Sequence, residues 1–524
     1  MDNRTSGTPP SEAARGDSAS LISYKGTTSF SSDASISDQS YNGSSDAENA
    51  VLITGGNVVF NNVTVGKTGD DSGDSSDFYG TNAAILVKDG ATLTMNSGEV
   101  FTDGSHANAV FAYDTGKINI TDTLIQTNAN NSGGIMVTGG GTINANDLSV
   151  TTFGNSSAAI RSDRGGGNIN VEGGVYTTSG VGSPAIYSTA NINVKKAILM
   201  STASEGIVIE GKNSVTLDSA TLNATNNTLN GQSETYKSIF IYQSMSGDAS
   251  TGKGSFSADD SMIVTNQGDH FYITNTDAEI VLSGNKFIQE DENGAFLRAE
   301  GAAWGNSGSN GGNVLLNVTK QEVIGDIVTD SISAVDFRMA GSYFKGAIPT
   351  GGDVKMTVSS DSIVVLTGDA YLSSLTNAMS DNSNIYGNGF KLYVNGAEVA
   401  TNTGAAPESS FDKFCTASGD NCYESETGEV IDITEVITPT NSSSKKDTAF
   451  PTWGYFAIGG GILVTVAVIA GIICMIVRKK KAAKANATSN LQDNFGGQDN
   501  SGGQSNPGGQ DNPGGQTTPP PVFN

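Results

Sequence analysis

The chain has 524 residues, 66 of them glycine, with 54 acidic against 28 basic residues and a formal net charge of −26. Glycine at this level beside abundant Ser, Thr, Asn and Asp excludes a mainly helical protein, because these residues favour turns over helix interiors. From Arg478 onward there are five basic and three acidic residues, so the preceding part carries −28 and would repel nucleic acid and anionic lipid surfaces.

Residues 1–45 are predicted to be a flexible N-terminal segment. The opening MDNRTSGTPPSEAARGDSAS shows no apolar h-region of a secretory signal. Its Arg15-Gly16-Asp17 is an integrin-type tripeptide that chance explains.

Residues 46–400 carry the main signal. Val51-Leu52-Ile53, Val58-Val59-Phe60 and Val63 to Val65 look like an early coil, followed by an acidic insertion from Asp70 to Asp77 that reads as a solvated loop. Between residues 80 and 225 a small residue followed by an aliphatic one recurs. The pairs are Ala84-Ile85, Ala109-Val110, Gly134-Ile135, Ala159-Ile160, Ala185-Ile186 and Gly206-Ile207, spaced by 25, 25, 25, 26 and 21. A second register follows, with Leu93 and Met95, Ile118 and Ile120, Ile143 and Ala145, Ile169 and Val171, Ile192 and Val194, and Val215 and Leu217. Alternation within these pairs is the period of a strand. A third register appears at Val100, Ile125, Val150, Tyr176, Leu199 and Leu222.

Three short strands per unit predict one turn of a three-faced coil. A lone coil buries too little to offset its lost backbone entropy, so coils must stack and cover one another. Glycine and asparagine are expected at the corners, as in Thr138-Gly139-Gly140-Gly141 and Gly165-Gly166-Gly167-Asn168. Strand-like runs continue to Lys391-Leu392-Tyr393-Val394. About 13–15 coils at ~4.8 Å would stack to roughly 60–75 Å. The fold expected is all-β: a right-handed parallel β-helix solenoid with one C-terminal transmembrane α-helix and a disordered tail.

Residues 401–452 read as an acidic stalk. Cys415 and Cys422 are close enough for a small disulfide loop, with two free thiols as the alternative; Cys474 lies in an apolar run and joins neither. Residues 453–477 are predicted to be a transmembrane helix. Gly454–Val477 has no charged residue, Trp453 and Tyr455 sit at one end, and the run Arg478-Lys479-Lys480-Lys481 stops the other. That basic stop places the large domain outside the cell and residues 478–524, rich in Gly, Gln, Asn and Pro, in the cytoplasm.

Several blocks resemble the adhesin-like secreted right-handed parallel β-helix proteins of gut clostridia and related anaerobes, which have a pectin-lyase-like fold. They are Asp163-Arg164-Gly165-Gly166-Gly167, Ser183-Pro184-Ala185-Ile186-Tyr187-Ser188-Thr189, Glu210-Gly211-Lys212-Asn213-Ser214, Tyr242-Gln243-Ser244 with Ser246-Gly247-Asp248-Ala249, Phe271-Tyr272-Ile273-Thr274-Asn275-Thr276, and Trp304-Gly305 with Gly308 to Gly312. The resemblance spans roughly residues 50–400. It implies a cell-surface adhesin-like protein that binds glycans or host-surface proteins, or neighbouring cells. The membrane helix departs from the secreted pattern.

The same architecture hosts pectin-lyase-like polysaccharide lyases and glycoside hydrolases, the alternative function. Those hydrolases need paired aspartates with a nearby histidine. Only His106 and His270 exist here, neither within Gly-His-Gly, so no catalytic site is expected. Arg161, Asp163 and Arg164 form the charged cluster beside a regular coil and are the candidate ligand-binding residues. Asp70, Asp71, Asp74 and Asp77 are the candidate metal ligands, with Ca²⁺ the ion that hard carboxylates suit, though without EF-hand spacing. No other cofactor is expected. Tyr187, Tyr242 and Tyr272 are candidates to stack on sugars, though some of them must be core. Asn-x-Ser/Thr triplets begin at Asn62, Asn119, Asn155, Asn223, Asn226 and Asn317.

Overall fold

A computed structural model describes residues 22–231 and 233–411, together with the backbone of 413–415 and 422–424. Successive strands join three sheets in rotation. Sheet A takes twelve strands from Gly26–Phe30 to Ile327–Thr329, sheet B fourteen from Ala34–Ser37 to Ser374–Asn377, and sheet C ten from Ser40–Gly43 to Lys286–Gln289. Beyond sheet C, a six-stranded sheet D begins at Glu322–Ile324 and runs to Ala397–Val399. Pairing is parallel in all three main sheets, so the chain winds as a β-helix-like solenoid. In sheet D the last pair, Leu392–Val394 with Ala397–Val399, is antiparallel and ends the stack.

The repeat read from the sequence is the register of these sheets. In sheet A, Ile85, Val110, Ile135, Ile160, Ile186 and Ile207 stand above one another. Leu93, Ile118, Ile143, Ile169, Ile192 and Val215 do so in sheet B, and Val100, Ile125, Val150, Tyr176, Leu199 and Leu222 in sheet C. All three columns are buried in one continuous core. Fourteen strands in sheet B at ~4.8 Å make a stack of roughly 60 Å.

Corners take the conformations that composition implied, with a wider set of residues. At the B-to-C corner the left-handed region is occupied by Asp38, Asn62, Ser97, Asp122, Asp147, Lys196, Ser219 and Asp260, and by Lys320 at the matching corner into sheet D. Each amide there still reaches the next coil, as in Ser97 N–H to Thr121 O at 3.0 Å, which offsets the steric cost of the turn. At the corner after sheet C the backbones come closer still. A Cβ on Gly154 would stand 1.9 Å from the Ala129 carbonyl oxygen, so only glycine fits.

A buried hydroxyl seam runs beside the C-to-A corner. Thr127, Thr152 and Thr178 each donate at 2.5 Å to the carbonyls of Ser132, Ser157 and Ser183. Ser157 and Ser183 Oγ in turn accept the amides of Ser132 and Ser157 at 2.9 Å. The seam satisfies backbone groups that the bend removes from the ladders.

Three expectations change. The solenoid begins earlier than residue 46: Gly26–Phe30, Ala34–Ser37 and Ser40–Gly43 already form a first coil. Its apolar signal is thin, and among the described residues no coil covers its outer flank, so Phe30, Ile36 and Tyr41 are only partly buried. The acidic insertion contains a short helix, α1 (Asp74–Tyr79), that buries Phe78. Residue 402, expected in the stalk, still belongs to the folded stack: Asn402 bridges to Tyr386 and donates to Ser383 O at 2.7 Å.

No helix among the described residues is long and apolar enough to cross a membrane. The segment 453–477, the tail 478–524 and Arg15-Gly16-Asp17 lie outside the described residues.

Candidate functional site

Sheet A is buried on both faces over long stretches, as in Ile207–Glu210 and Asp269–Thr274. Its outward row carries Leu86, Phe111, Met136, Arg161, Tyr187, Val208, Phe240 and Tyr272 in register. Leu86, Phe111 and Met136 pack with Leu52 and Ala83 in one small outer core. Farther along, Val208, Phe240 and Tyr272 pack with Tyr187, Tyr242 and Trp304 in another. Between these two covers lies a charged cluster.

The sequence candidates Arg161, Asp163 and Arg164 come from the end of strand Ile160–Ser162 and the corner after it. Arg161 faces Asp163 at 3.4 Å. Asp163 Oδ1 accepts the Arg164 amide at 3.0 Å. Arg164 turns away from this pair, placing its guanidinium 3.5 Å from the Phe78 ring centroid. It also donates to Asp248 at 2.5 Å and lies 3.4 Å from Asp74. The arginine thus ties α1, ninety residues before it at Asp74, to a loop eighty-four residues after it at Asp248.

Glu210 and Asp248 stand in the resemblance blocks of the sequence but are not among the site residues expected from it. Glu210 ends a sheet A strand two coils away and accepts Tyr187 Oη at 2.5 Å, Tyr242 Oη at 3.1 Å and the Ser244 hydroxyl. Burial raises its carboxyl above the usual range despite these three donors. Burial likewise pushes Asp163 up to about 7, against the pull of Arg161 and with help from the nearby Asp248 carboxylate. The hydroxyls of Tyr187 and Tyr242 are held well above their ordinary range, chiefly by burial. An open polar cleft of ≈250 Å³ adjoins the cluster, lined by Gly166, Thr189, Asn191, Lys212, Asp248 and Ser250 among others. Chemically it offers hydrogen-bond donors and acceptors of both charges, suited to a polar, hydroxyl-rich ligand. The block that Glu210 opens says nothing of Tyr187, Tyr242 or Ser244, and only the stacking of strands brings those hydroxyls to its carboxylate.

The tyrosines proposed as sugar platforms do not serve that way. Tyr272 is buried and donates to Glu300 at 2.8 Å, while Tyr242 stacks on Phe240 with centroids 4.4 Å apart. They fill the outer core.

The four candidate calcium ligands are dispersed among separate partners. Asp70 accepts the Ser105 amide at 2.7 Å, and Asp71 accepts the Ser76 hydroxyl. Asp74 pairs with Arg164, and Asp77 meets His106 Nδ1 at 2.9 Å. Among the described residues no group of three or more His, Cys, Asp or Glu is arranged to hold a metal. The expectation of a Ca²⁺ site at Asp70, Asp71, Asp74 and Asp77 is therefore withdrawn, because these carboxylates close loop contacts instead of converging. Cys415 and Cys422 sit directly opposite each other in a short antiparallel ladder. Of the glycosylation triplets, Asn226 is buried and donates to Lys237 O at 3.1 Å.

The outward face of sheet B contrasts with that of sheet A. Its strands alternate buried with partly or fully exposed residues along the stack, as in Lys117–Thr121 and Asn191–Lys195. Asn119, Asn144, Asn170 and Asn193 form one exposed column on this face.

Comparison with family models, with curated proteins and with solved structures yields no match for the chain.

Proposed function

We propose that the chain is a membrane-anchored, adhesin-like cell-surface protein whose β-helix rod binds glycans or host-surface proteins. The winding is read as right-handed, the hand that strand twist imposes on parallel crossovers. Residues 453–477 are read as the single membrane anchor, with the solenoid extracellular, the tail cytoplasmic and low in complexity, and Cys415–Cys422 oxidised in the stalk. The resemblance to adhesin-like proteins of gut anaerobes belongs to the same reading.

One observation carries it: sheet B turns a predominantly polar outward face to solvent along its parallel strands, interrupted at positions such as Val59 and Val281. A surface of that length, repeating at the strand spacing, suits extended or multivalent partners better than a single small molecule. The test is display of the full chain on cells. Antibody against residues 22–43 should label intact cells, and those cells should be retained on mucin-coated surfaces. Labelling only after permeabilisation, or no retention, would reject the proposal.

The second reading, a lyase or hydrolase of acidic polysaccharides, draws support from the buried Asp163 beside Arg161 and Arg164. It requires unsaturated or new reducing ends from polygalacturonate, abolished by Asp163→Asn.

A further inference from the structure

The asparagine column is built as a ladder. Asn144 Nδ2 donates to Asn119 Oδ1 at 2.9 Å, Asn170 Nδ2 to Asn144 Oδ1 at 3.0 Å, and Asn193 Nδ2 to Asn170 Oδ1 at 3.1 Å. All three bonds run in the same direction. A primary amide has two N–H donors and two acceptor lone pairs. The ladder uses at most one of each per residue. Each rung therefore keeps one N–H and one lone pair for solvent, repeated at the strand spacing of ~4.8 Å.

Charge is arranged to match. From Ser35 to Asn317 the column reads Ser35, Val59, Thr94, Asn119, Asn144, Asn170, Asn193, Thr216, Ser257, Val281 and Asn317, with no ionisable side chain; the next position is Arg338, which pairs with Asp336. Beside it, Glu172 pairs with Lys196 at 3.5 Å and Lys195 with Asp218 at 3.1 Å, while Lys117 beside the first rung and Asp259 two coils past the last also stand exposed on this face. A chain of net charge −26 thus keeps an uncharged strip on its outer face. The amides line a shallow groove of ≈390 Å³ that also touches Glu172 and Lys195.

The geometry points to an uncharged, extended β-linked polysaccharide lying along the stack axis, one sugar unit facing each amide rung. The inference rests on the adhesin reading and supplies its ligand class. Extended β-linked chains advance per sugar by a length close to the strand spacing, so successive units, which carry hydroxyls on both edges, follow successive amides. A polyanion gains nothing from a neutral strip and is repelled by the rest of the surface. The rungs are already hydrogen-bonded to one another, so little side-chain entropy is lost on binding.

The experiment titrates the full chain, in detergent micelles, with neutral β-linked gluco-oligosaccharides of increasing length. Affinity should climb with each added sugar until the four rungs are spanned and then level off. Asn144→Val with Asn170→Val should lower it by roughly tenfold or more, the loss of one to a few neutral hydrogen bonds. Valine stands in the same column at positions 59 and 281, so these variants suit the backbone. Unchanged thermal midpoints would confirm that the loss belongs to the face. Four results would overturn the inference: length-independent affinity, preference for polygalacturonate, valine variants that bind as before, or self-association through this face in sedimentation. If displayed cells adhere to mucin equally with and without the valines, the ladder proposal fails while the adhesin reading stands. If adhesion is absent but oligosaccharides bind with the stated length dependence, the reverse holds.

Discussion

Ile160→Ala tests whether each coil depends on its neighbours. Ile160 is fully buried, as are Ile135 before it and Ile186 after it in the same column. The substitution removes three carbon atoms, about 2.4 kcal/mol at ~0.8 kcal/mol per buried group. The coils cannot close the gap, because their separation is set by ladder bonds such as Ile160 N–H to Ala185 O at 3.0 Å. A residual cavity therefore adds to the cost, giving roughly 3–4 kcal/mol. In a stack whose stability is a sum of nearest-neighbour interfaces, the loss should stay near its origin. Native-state hydrogen exchange on the full chain reads this directly. Amides of 135–138 and 186–188 should lose roughly two orders of magnitude of protection, while those of 363–372 change little. Ile36→Ala in the first coil, where the side chain is only partly buried, should cost about 1 kcal/mol. Equal costs at the two sites, or uniform loss along the chain, would refute the nearest-neighbour picture.

His270 is buried against Phe287 and Phe296, and burial lowers its imidazole to about 3. The unfolded chain therefore binds the extra proton between about 6.5 and 3, and stability drains as pH falls through that window. His270→Phe should widen its stability advantage over the parent as pH falls from 6.5, and proton NMR of the two histidines should find one imidazole neutral throughout. Asp163 acts with opposite sign: raised from 3.8 to about 7, it holds a proton in the folded state. Its favourable contribution is complete below pH 3.8 and lost as pH rises through 7, so Asp163→Asn should flatten the thermal-midpoint profile over that range. Arg164→Ala removes the ring contact to Phe78 and both carboxylate partners, and should expose 74–79 to proteolysis while leaving sheet B protected. Arg164→Lys should restore only part, since lysine lacks the planar fork that covers the ring. Intact mass before and after reduction should report a Cys415–Cys422 bond; identical masses would rule it out.

The inward columns were legible because stacking translates one strand directly onto the next, so the spatial repeat is also a sequence period. Leu93 to Val215 and Val100 to Leu222 could be written down without coordinates, and the hydroxyl seam of Thr127, Thr152 and Thr178 shares that period, though apolar patterning drew attention away from it. Periodicity fails where the chain leaves the coil. Helix α1 and the loops bearing Asp248 and Trp304 belong to no repeat, yet they cover sheet A and decide which outward side chains are buried. Tyr187 and Tyr242 therefore read as surface residues when they are hydroxyl donors to Glu210, and Asp74 reads as a metal ligand when it pairs with Arg164. Local order along each strand, set by backbone alternation and aliphatic burial, was present in the sequence by itself. Which outer face is roofed and which stays open was decided by contacts between residues up to ninety positions apart, and no local pattern encodes those.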